Sequence, residues 1–244
     1  MTVLPKPHVF SAADSKPLRW GIFGAGWISD AMVKTAQLNS TQQFVAVASR
    51  TGGKAEAFAQ KWNLESFHNS YEELAARDDI DAIYIGTLPS DRLEVALVAI
   101  NAGKHVLIEK PITMDYAEAE QIYAAAKAKK VLAMEAMWTR YLPQTDVIRQ
   151  ILAEGILGEI KLVLSDFGQD LLHVPRLVDP VAGGGLLDLG IYNFAFTSLV
   201  LGEAQQVSAS GTLTATGVDE TVAVLLGYAN GAQASITTDR KSVV

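Results

Sequence analysis

The chain has 244 residues, of which 49% are hydrophobic and 19% are charged, so it can fill a sizeable core and is not expected to be disordered. Its net charge of −7 argues against a nucleic-acid-binding or anionic membrane surface. The absence of cysteine excludes disulfides and thiolate chemistry, and the four histidines lack metal-ligand spacing.

The first segment, residues 1–17, contains three prolines and no apolar signal-peptide core, and we interpret it as a flexible leader. No apolar run is long enough to span a membrane, so we expect a cytoplasmic protein. After the leader, the apolar patterns predict strands at 18–24, 44–50, 81–87, 105–108 and 131–137. Between these strands, the patterns predict helices at 27–38, 91–102 and 115–130, and a further helix that ends at residue 62. This alternation predicts a Rossmann-type, doubly wound and mostly parallel sheet, in a domain at 18–140.

Three short patterns mark helix starts in this first domain. Ser70 and Glu73 form a capping box, and Asp115 is followed three residues later by a glutamate. Asp91 and Glu94 fit the same pattern, and we expect Asp91 to cap the helix at 91–102.

The pattern changes near residue 141. We predict a helix at 143–154, a strand at 159–168, a glycine-rich turn at 183–185 and a helix at 186–201. Strands at 205–215, 219–229 and 232–238 follow, joined by short turns. The fold class is therefore α/β: a doubly wound parallel sheet, followed by an α+β domain at 141–238 with a second, largely antiparallel sheet.

The first strand leads directly into a G-x-G-x-x-[small] turn, in which serine replaces the third glycine. Gly24 and Gly26 permit a tight turn and the close approach of backbone to a pyrophosphate at a helix N-terminus. Glycines also serve ordinary turns, but the position between strand and helix favours dinucleotide binding, with Trp27 and Ile28 opening the helix.

The second strand ends in Ser49, Arg50 and Thr51 rather than in the acidic residue that accepts from a ribose hydroxyl. A guanidinium and two hydroxyls suit a ribose phosphate, which favours NADP over NAD. The alternative is a surface arginine at a strand end.

Two further patterns carry candidate chemistry. Thr87 and the pair Glu109-Lys110 follow later strands of the same sheet, at the edge where open α/β sheets bind ligands, and we count them as cofactor-binding. Asp188 and Tyr192 are four residues apart and so share a helix face. Taken alone, these two residues are more typical of a helix cap and an amphipathic core residue.

Together, "GIFGAGWIS", "GKHVLIEKP" and "GGGLLDLGIY" resemble the Gfo/Idh/MocA oxidoreductase family, from about Leu18 to about Thr238. Within it, "MEAMWTRYLP", "LLHVPR" and "TGVDETV" look like the branch of dimeric dihydrodiol dehydrogenases and D-xylose 1-dehydrogenases. Many relatives place a histidine four residues after the aspartate, whereas this chain has Tyr192, as that branch does.

The resemblance implies hydride transfer between a nicotinamide and a sugar-like or diol carbinol, in a homodimer formed through the open sheet. Lys110, Asp188 and Tyr192 match the catalytic positions. Positions that recur in the branch and shape its substrate pocket are matched by Trp138, Arg140 and Arg176. Relatives commonly carry histidines where this chain has Pro89 and Arg92, so substrate positioning or pH dependence is expected to differ.

Oxidation of an alcohol requires removal of a proton as the hydride leaves. A tyrosine in water titrates near pH ~10, and a nearby ammonium favours its phenolate. Our hypothesis is that Tyr192 exchanges the proton, Lys110 tunes it and Asp188 holds the lysine in place. These side chains, which come from distant segments, should then converge beside the nicotinamide.

The leading expectation is an NADP-dependent dehydrogenase of D-xylose or another aldose, with trans-dihydrodiols as the second substrate class. A non-catalytic NADP-sensing regulator and a redox-assisted glycosidase are the alternatives. The last six residues, 239–244, read as translated sequencing adapter, so we expect an artefactual tail and a truncated second domain. Its unprotected sheet edge would make this exact chain prone to aggregation or inactivity.

Overall fold

The structure, a computed structural model, describes residues 3–241 and divides into two compact units. The first unit spans Phe10–Ala136, and the second combines the residues before Phe10 with those from Met137 onward. Each unit is described by itself. Within residues 3–241, no helix is both long enough and apolar enough to cross a membrane.

The first unit contains a six-stranded sheet in the order β3-β2-β1-β4-β5-β6, with every pair of neighbours parallel. Its strands are β1 (Arg19–Phe23), β2 (Gln43–Ala48), β3 (Ser66–His68), β4 (Ala82–Ile85), β5 (His105–Glu109) and β6 (Ala133–Ala136). The parallel Rossmann sheet predicted from the sequence is confirmed. Only the short β3 was not predicted, because three residues are too few to show a strand pattern.

Helices connect these strands: α1 (Trp27–Asn39), α2 (Lys54–Trp62), α3 (Tyr71–Ala75), α4 (Arg92–Asn101) and α5 (Tyr116–Lys129). Two of the three predicted caps form, because Ser70 accepts from the Glu73 N–H and Asp115 accepts from the Glu118 N–H. The third expectation was wrong. The Asp91 side chain makes no capping hydrogen bond to α4, because its carboxylate pairs with Arg50 instead.

The core of the first unit lies on both faces of the sheet. Adjacent residues of β1, Ile22 and Phe23, are both fully buried, and they belong to separate hydrophobic clusters. This double burial is typical of parallel sheets covered by helices on both sides. It leaves the ends of the strands as the places where polar side chains can meet a ligand.

The second unit contains a four-stranded sheet in the order β7-β10-β9-β8. Its elements are α6 (Pro143–Ala153), β7 (Leu162–Gly168), α7 (Ile191–Leu201), β8 (Gln206–Leu213), β9 (Asp219–Gly227) and β10 (Gln233–Asp239). β8, β9 and β10 pair antiparallel, but β10 pairs parallel with β7. The sheet is therefore mixed, and the expectation of a largely antiparallel sheet holds for its three C-terminal strands.

The predicted helix at 186–201 is interrupted near its start. Leu186–Gly190 form a π-helical turn, and the regular helix begins only at Ile191. The carboxylate of Asp219, in β9, accepts a hydrogen bond from the Leu186 N–H at 2.7 Å. This bond fixes the first residue of the π-helical turn. Because Asp219 lies 33 positions further along the chain, the local pattern around Leu186 could not predict this interruption.

One face of the second sheet is covered and the other is open. Val222, Val224 and Leu226 of β9 are buried, whereas Leu225 between them is 61% exposed. On β7, Leu164 is also exposed, at 72%. This alternation is that of an antiparallel sheet with one solvated face.

The boundary between the units lies after Ala136, four residues earlier than predicted, because the turn that follows β6 packs within the second unit. The leader also has partners there: His8 N–H donates to Asp146 at 2.7 Å, and the Lys6 carbonyl accepts from Gln150 at 2.9 Å. At the other end, Asp239 closes β10. Arg240 is buried in an ion pair with Glu220, and residues 242–244 of the expected tail lie outside the described residues.

Candidate functional site

The predicted pyrophosphate turn lies between β1 and α1. Gly24 has φ +95°, and a Cβ there would lie 3.2 Å from the backbone of Gly86. Gly26 is the N-cap of α1, and no described atom lies within 4 Å of where its Cβ would be. The first glycine is therefore required by conformation and by a close neighbour, and the second leaves open space at a helix N-terminus, as anion binding requires.

Serine in the third glycine position is accommodated by a matching glycine directly after the neighbouring strand β4. Ser29 is fully buried, and its hydroxyl donates to the Gly24 carbonyl at 2.6 Å. A Cβ on Gly86 would collide with the Ser29 hydroxyl. Gly86 thus makes room for the serine, which in turn ties α1 to the turn. Trp27 and Ile28 occupy the first helical turn, with Trp27 68% exposed.

Arg50 follows β2 and is surrounded by groups from later elements. Its guanidinium lies 3.2 Å from Asp91 and 3.4 Å from Glu94, and 5.3 Å above the Tyr71 ring. Ser49 is buried, and its hydroxyl accepts the Thr51 N–H at 3.2 Å. Ser49 therefore shapes the turn, while Arg50 and Thr51 stay exposed beside it.

The Glu109-Lys110-Pro111 turn is held from beneath by a buried tyrosine. The Tyr84 hydroxyl donates to Glu109 at 2.7 Å, and the other carboxylate oxygen of Glu109 accepts the Lys110 N–H at 3.2 Å. Burial, and next the negative charge of Glu109, raise the pKa of Tyr84 far above its ordinary value. Tyr84 therefore stays protonated and keeps Glu109 oriented.

A buried arginine joins the ends of β4 and β5. Arg92 is 5% exposed, and its guanidinium donates to the Thr87 carbonyl at 2.9 and 3.1 Å and to the Pro111 carbonyl. Arg92 thus positions the Lys110-Pro111 turn. Pro89 opens the 3₁₀ turn that precedes α4.

The carboxyl end of the first sheet fits a nicotinamide dinucleotide. The turn at Gly24 and Gly26 opens onto a helix N-terminus, and Arg50 supplies a cation at the end of β2. Thr87 Oγ1 is buried and has no hydrogen-bond partner among residues 3–241, which leaves this hydroxyl available to hydrogen-bond a ligand. No group of carboxylates and histidines in that part of the chain could hold a metal ion.

Tyr192, in the first turn of α7, is surrounded by aromatic side chains. The Trp138 indole N–H donates to the Tyr192 hydroxyl at 3.0 Å, and the two rings meet edge-on at 5.8 Å. Phe167 of β7 meets Tyr192 edge-on from 5.6 Å. Trp138 is 56% exposed, so the cluster lies at the surface of its unit. The phenol oxygen is thus held by a neutral donor within an aromatic setting.

Asp188 pairs with the guanidinium of Arg176. Nη2 of Arg176 lies 2.9 and 3.0 Å from the two oxygens of Asp188, which is largely buried. Arg176 is thus one partner of Asp188, and the hypotheses that Asp188 holds Lys110 and that Arg176 contacts the substrate remain predictions. Arg140 is exposed, and its carbonyl accepts from Arg149 at 2.6 Å.

Two family models match this chain: an oxidoreductase family with an NAD-binding Rossmann fold over residues 18–137, and a GFO/IDH/MocA C-terminal domain over 145–243. The chain belongs to the Gfo/Idh/MocA oxidoreductase family. As in that family, its first unit is a nicotinamide-binding Rossmann domain, and the expected class of enzyme, a dehydrogenase acting on CH–OH groups, is confirmed.

Among curated members of the family, the chain is similar to trans-1,2-dihydrobenzene-1,2-diol dehydrogenase of Mus musculus, at 42% identity over 90% of this chain and 68% of the relative. The Homo sapiens protein of that name is 41% identical, with 90% and 67% covered. A solved relative is the 3-ketoreductase KijD10 of Actinomadura kijaniata in complex with NADP, with TM-score 0.80 and 29% identity over 93% of this chain and 71% of that one.

Sequence reasoning missed several residues that support the candidate site. Tyr84, Gly86 and Phe167 lie in or beside strands, where each reads as an ordinary core or turn residue. Their roles depend on partners far along the chain, such as Glu109 for Tyr84 and Ser29 for Gly86. Only Gly86 carried a usable signal, because a glycine directly after a buried strand indicates a close neighbour.

Proposed function

We propose that this chain is an NADP-dependent dehydrogenase that oxidises a cyclic trans-diol of the dihydrobenzene-diol type. The observation that carries the proposal is the cluster of Tyr192 with Trp138 and Phe167. A flat, unsaturated ring with two hydroxyls matches an aromatic surface that also offers a phenol. The names of the mouse and human relatives support the same substrate class.

Oxidation of the diol removes a hydride from one carbon and a proton from its hydroxyl. When bound, the nicotinamide supplies the hydride acceptor. We propose that Tyr192 takes the proton on its phenolate oxygen, and that the Trp138 indole N–H stabilises the negative charge which that oxygen carries before the transfer. We propose that Lys110 supplies the positive charge in this mechanism. We propose that Asp188 and Arg176, which form an ion pair, position the first turns around Tyr192.

NADP is the proposed cofactor because Arg50 stands at the end of β2, where an acidic residue would favour NAD. The NADP bound to KijD10, a relative at 29% identity, supports this assignment. D-xylose or another aldose remains the second candidate substrate, since sugar rings also lie against aromatic side chains. Arg140 and Arg176 are retained as proposed substrate-side residues.

The decisive experiment combines a substrate panel with one substitution. The purified chain is assayed with trans-1,2-dihydrobenzene-1,2-diol and with D-xylose, each with NADP and with NAD. Tyr192→Phe should then lower kcat for the preferred substrate by about 10²- to 10⁴-fold, the usual worth of a positioned acid or base, while NADP binding is retained. The matched control is Tyr116→Phe, a 76% exposed tyrosine on α5.

Each alternative predicts a different result. Equal turnover in wild type and Tyr192→Phe would remove the tyrosine from the mechanism. NADP binding without turnover of any alcohol would favour a redox-sensing regulator. Turnover of D-xylose but not of the diol would replace the proposed substrate class.

We also propose that a second copy covers the open face of the second sheet, where Leu164 and Leu225 are exposed. The homodimer and the cytoplasmic location remain predictions from the sequence. Analytical ultracentrifugation tests the dimer, and a monomer at all concentrations would contradict it.

A further inference from the structure

Arg50 is held by two carboxylates that the local sequence of β2 does not supply. Asp91 and Glu94 belong to the start of α4, more than 40 positions along the chain, and both reach the guanidinium of Arg50. The Tyr71 ring closes a third side at 5.3 Å. The cation at the end of the second strand is therefore already paired before any ligand arrives.

The two carboxylates are not used where their sequence pattern suggested. Asp91 is the N-cap residue of α4, yet its side chain makes no capping hydrogen bond in the described part of the chain. Asp91 turns away from that arrangement and toward Arg50, which links α4 to the end of β2.

We propose that Asp91 and Glu94 set the cofactor selectivity of this enzyme by competing with the ribose 2′-phosphate for Arg50. The proposal rests on the proposed NADP function. A 2′-phosphate that binds Arg50 must either displace the carboxylates of Asp91 and Glu94 or share Arg50 with their two negative charges. The 2′-hydroxyl of NAD carries no charge, so the carboxylates do not repel it. The carboxylates thus weaken the binding of NADP and leave the binding of NAD nearly unaffected, which lowers the ratio of NADP to NAD affinity.

Exposure limits the size of the effect. The side chains of Arg50, Asp91 and Glu94 are 48%, 41% and 69% exposed, so solvent screens each pair. Two exposed ion pairs correspond to a combined change of about three- to tenfold in an equilibrium constant. The same screening predicts that the effect shrinks as salt is added.

The experiment is an equilibrium titration with NADP and with NAD, followed by the fluorescence of tryptophan, because the 68% exposed Trp27 opens the helix at the pyrophosphate turn. The variants are Asp91→Asn, Glu94→Gln and the double variant. Glu120→Gln on α5 is the control, because it removes one exposed carboxylate that pairs with Tyr116 and not with Arg50.

The double variant should bind NADP about three- to tenfold more tightly at low salt, and NAD within about twofold of wild type. In an Arg50→Gln background, the same two substitutions should change NADP affinity less. An unchanged ratio of NADP to NAD affinity in the double variant would overturn the inference alone. A lower ratio would also overturn it, since the carboxylates would then be holding Arg50 ready for phosphate. Failure of the wild-type chain to bind either cofactor would refute the proposed function and this inference together.

Discussion

The two sheets of this protein bury their strands differently. In the parallel sheet, adjacent residues Ile22 and Phe23 of β1 are both fully buried. In the mixed sheet, Leu226 of β9 is 6% exposed and its neighbour Leu225 is 61% exposed. β1 is therefore covered on both faces, whereas β9 has one solvated face.

The two units also carry their candidate functional groups in different places. In the first unit Gly24, Arg50, Thr87 and Lys110 follow strand ends. In the second unit Phe167 lies within β7 itself and meets Tyr192 on a helix. The candidate site of the first unit is therefore determined by the strand order of its sheet. That of the second unit is determined by the packing of particular side chains.

The sharpest way to break this comparison is to shorten neighbouring side chains in β1. Ile22→Ala and Phe23→Ala should each lower the free energy of unfolding by about 2–5 kcal/mol, because both side chains are fully buried in close-packed clusters. Urea unfolding followed by circular dichroism measures it. A loss below about 1 kcal/mol for either variant would contradict double-sided burial.

The corresponding pair in β9 should behave asymmetrically. Leu226→Ala should lower the free energy of unfolding by about 2–4 kcal/mol, while Leu225→Ala should change it by less than about 0.5 kcal/mol. The same urea titration, run at a low protein concentration, serves as the measurement. If Leu225→Ala is strongly destabilising at that concentration, the face assigned as open is covered within a single chain.

The first unit could largely be predicted from sequence, because its signals are local. Apolar runs mark its main strands, and Gly24 and Gly26 follow the first of them directly. Strand order then follows from the right-handed crossovers of alternating strands and helices. What failed there was non-local: Asp91 fits a cap, but Arg50 from β2 takes its carboxylate.

The second unit could be predicted less well, for the same physical reason. Hairpin turns indicate antiparallel neighbours, but nothing near residue 162 shows that β7 pairs parallel with β10. The π-helical turn at Leu186–Gly190 depends on Asp219 from β9. The aromatic setting of Tyr192 needs Phe167 and Trp138, which lie 25 and 54 positions away.

A smaller effect tests the contact between Gly86 and Ser29 at the strand ends of the first sheet. Gly86→Ala should destabilise the protein by about 1–3 kcal/mol, because the new Cβ meets the buried Ser29 hydroxyl. Adding Ser29→Gly should recover part of this loss, since it removes the colliding atom. Thermal unfolding of the four proteins of this double-mutant cycle measures the coupling. Strictly additive losses would show that the two residues do not share the space.

The smallest expected change in the free energy of unfolding concerns the amino end of the first sheet. Charged side chains lie there, whereas the carboxyl end carries the candidate ligand site. The carboxylate of Asp79 accepts from Arg77 and from Arg19 at the start of β1, both at 2.7 Å. Hydrogen bonds from Arg77, and next from Arg19, hold the pKa of Asp79 well below its ordinary value of 3.8. Because folding lowers this pKa, the stabilisation is fully present above the ordinary value and is lost as the pH falls below it.

Asp79→Asn should therefore lower the free energy of unfolding by about 0.2–1 kcal/mol near neutral pH, a small amount because Asp79 is 45% exposed and screened by solvent. The difference from wild type should shrink between about pH 6 and about pH 3, because the Asp79 carboxylate of the unfolded chain takes up a proton near its ordinary pKa while that of the folded chain keeps its charge to lower pH. Urea midpoints at both pH values measure it, with Glu120→Gln as the exposed control. If the wild type and Asp79→Asn lose equal stability over this range, the charge network at the amino end contributes nothing. The difference between the amino end and the carboxyl end of the first sheet would then depend only on the glycine turn at the carboxyl end.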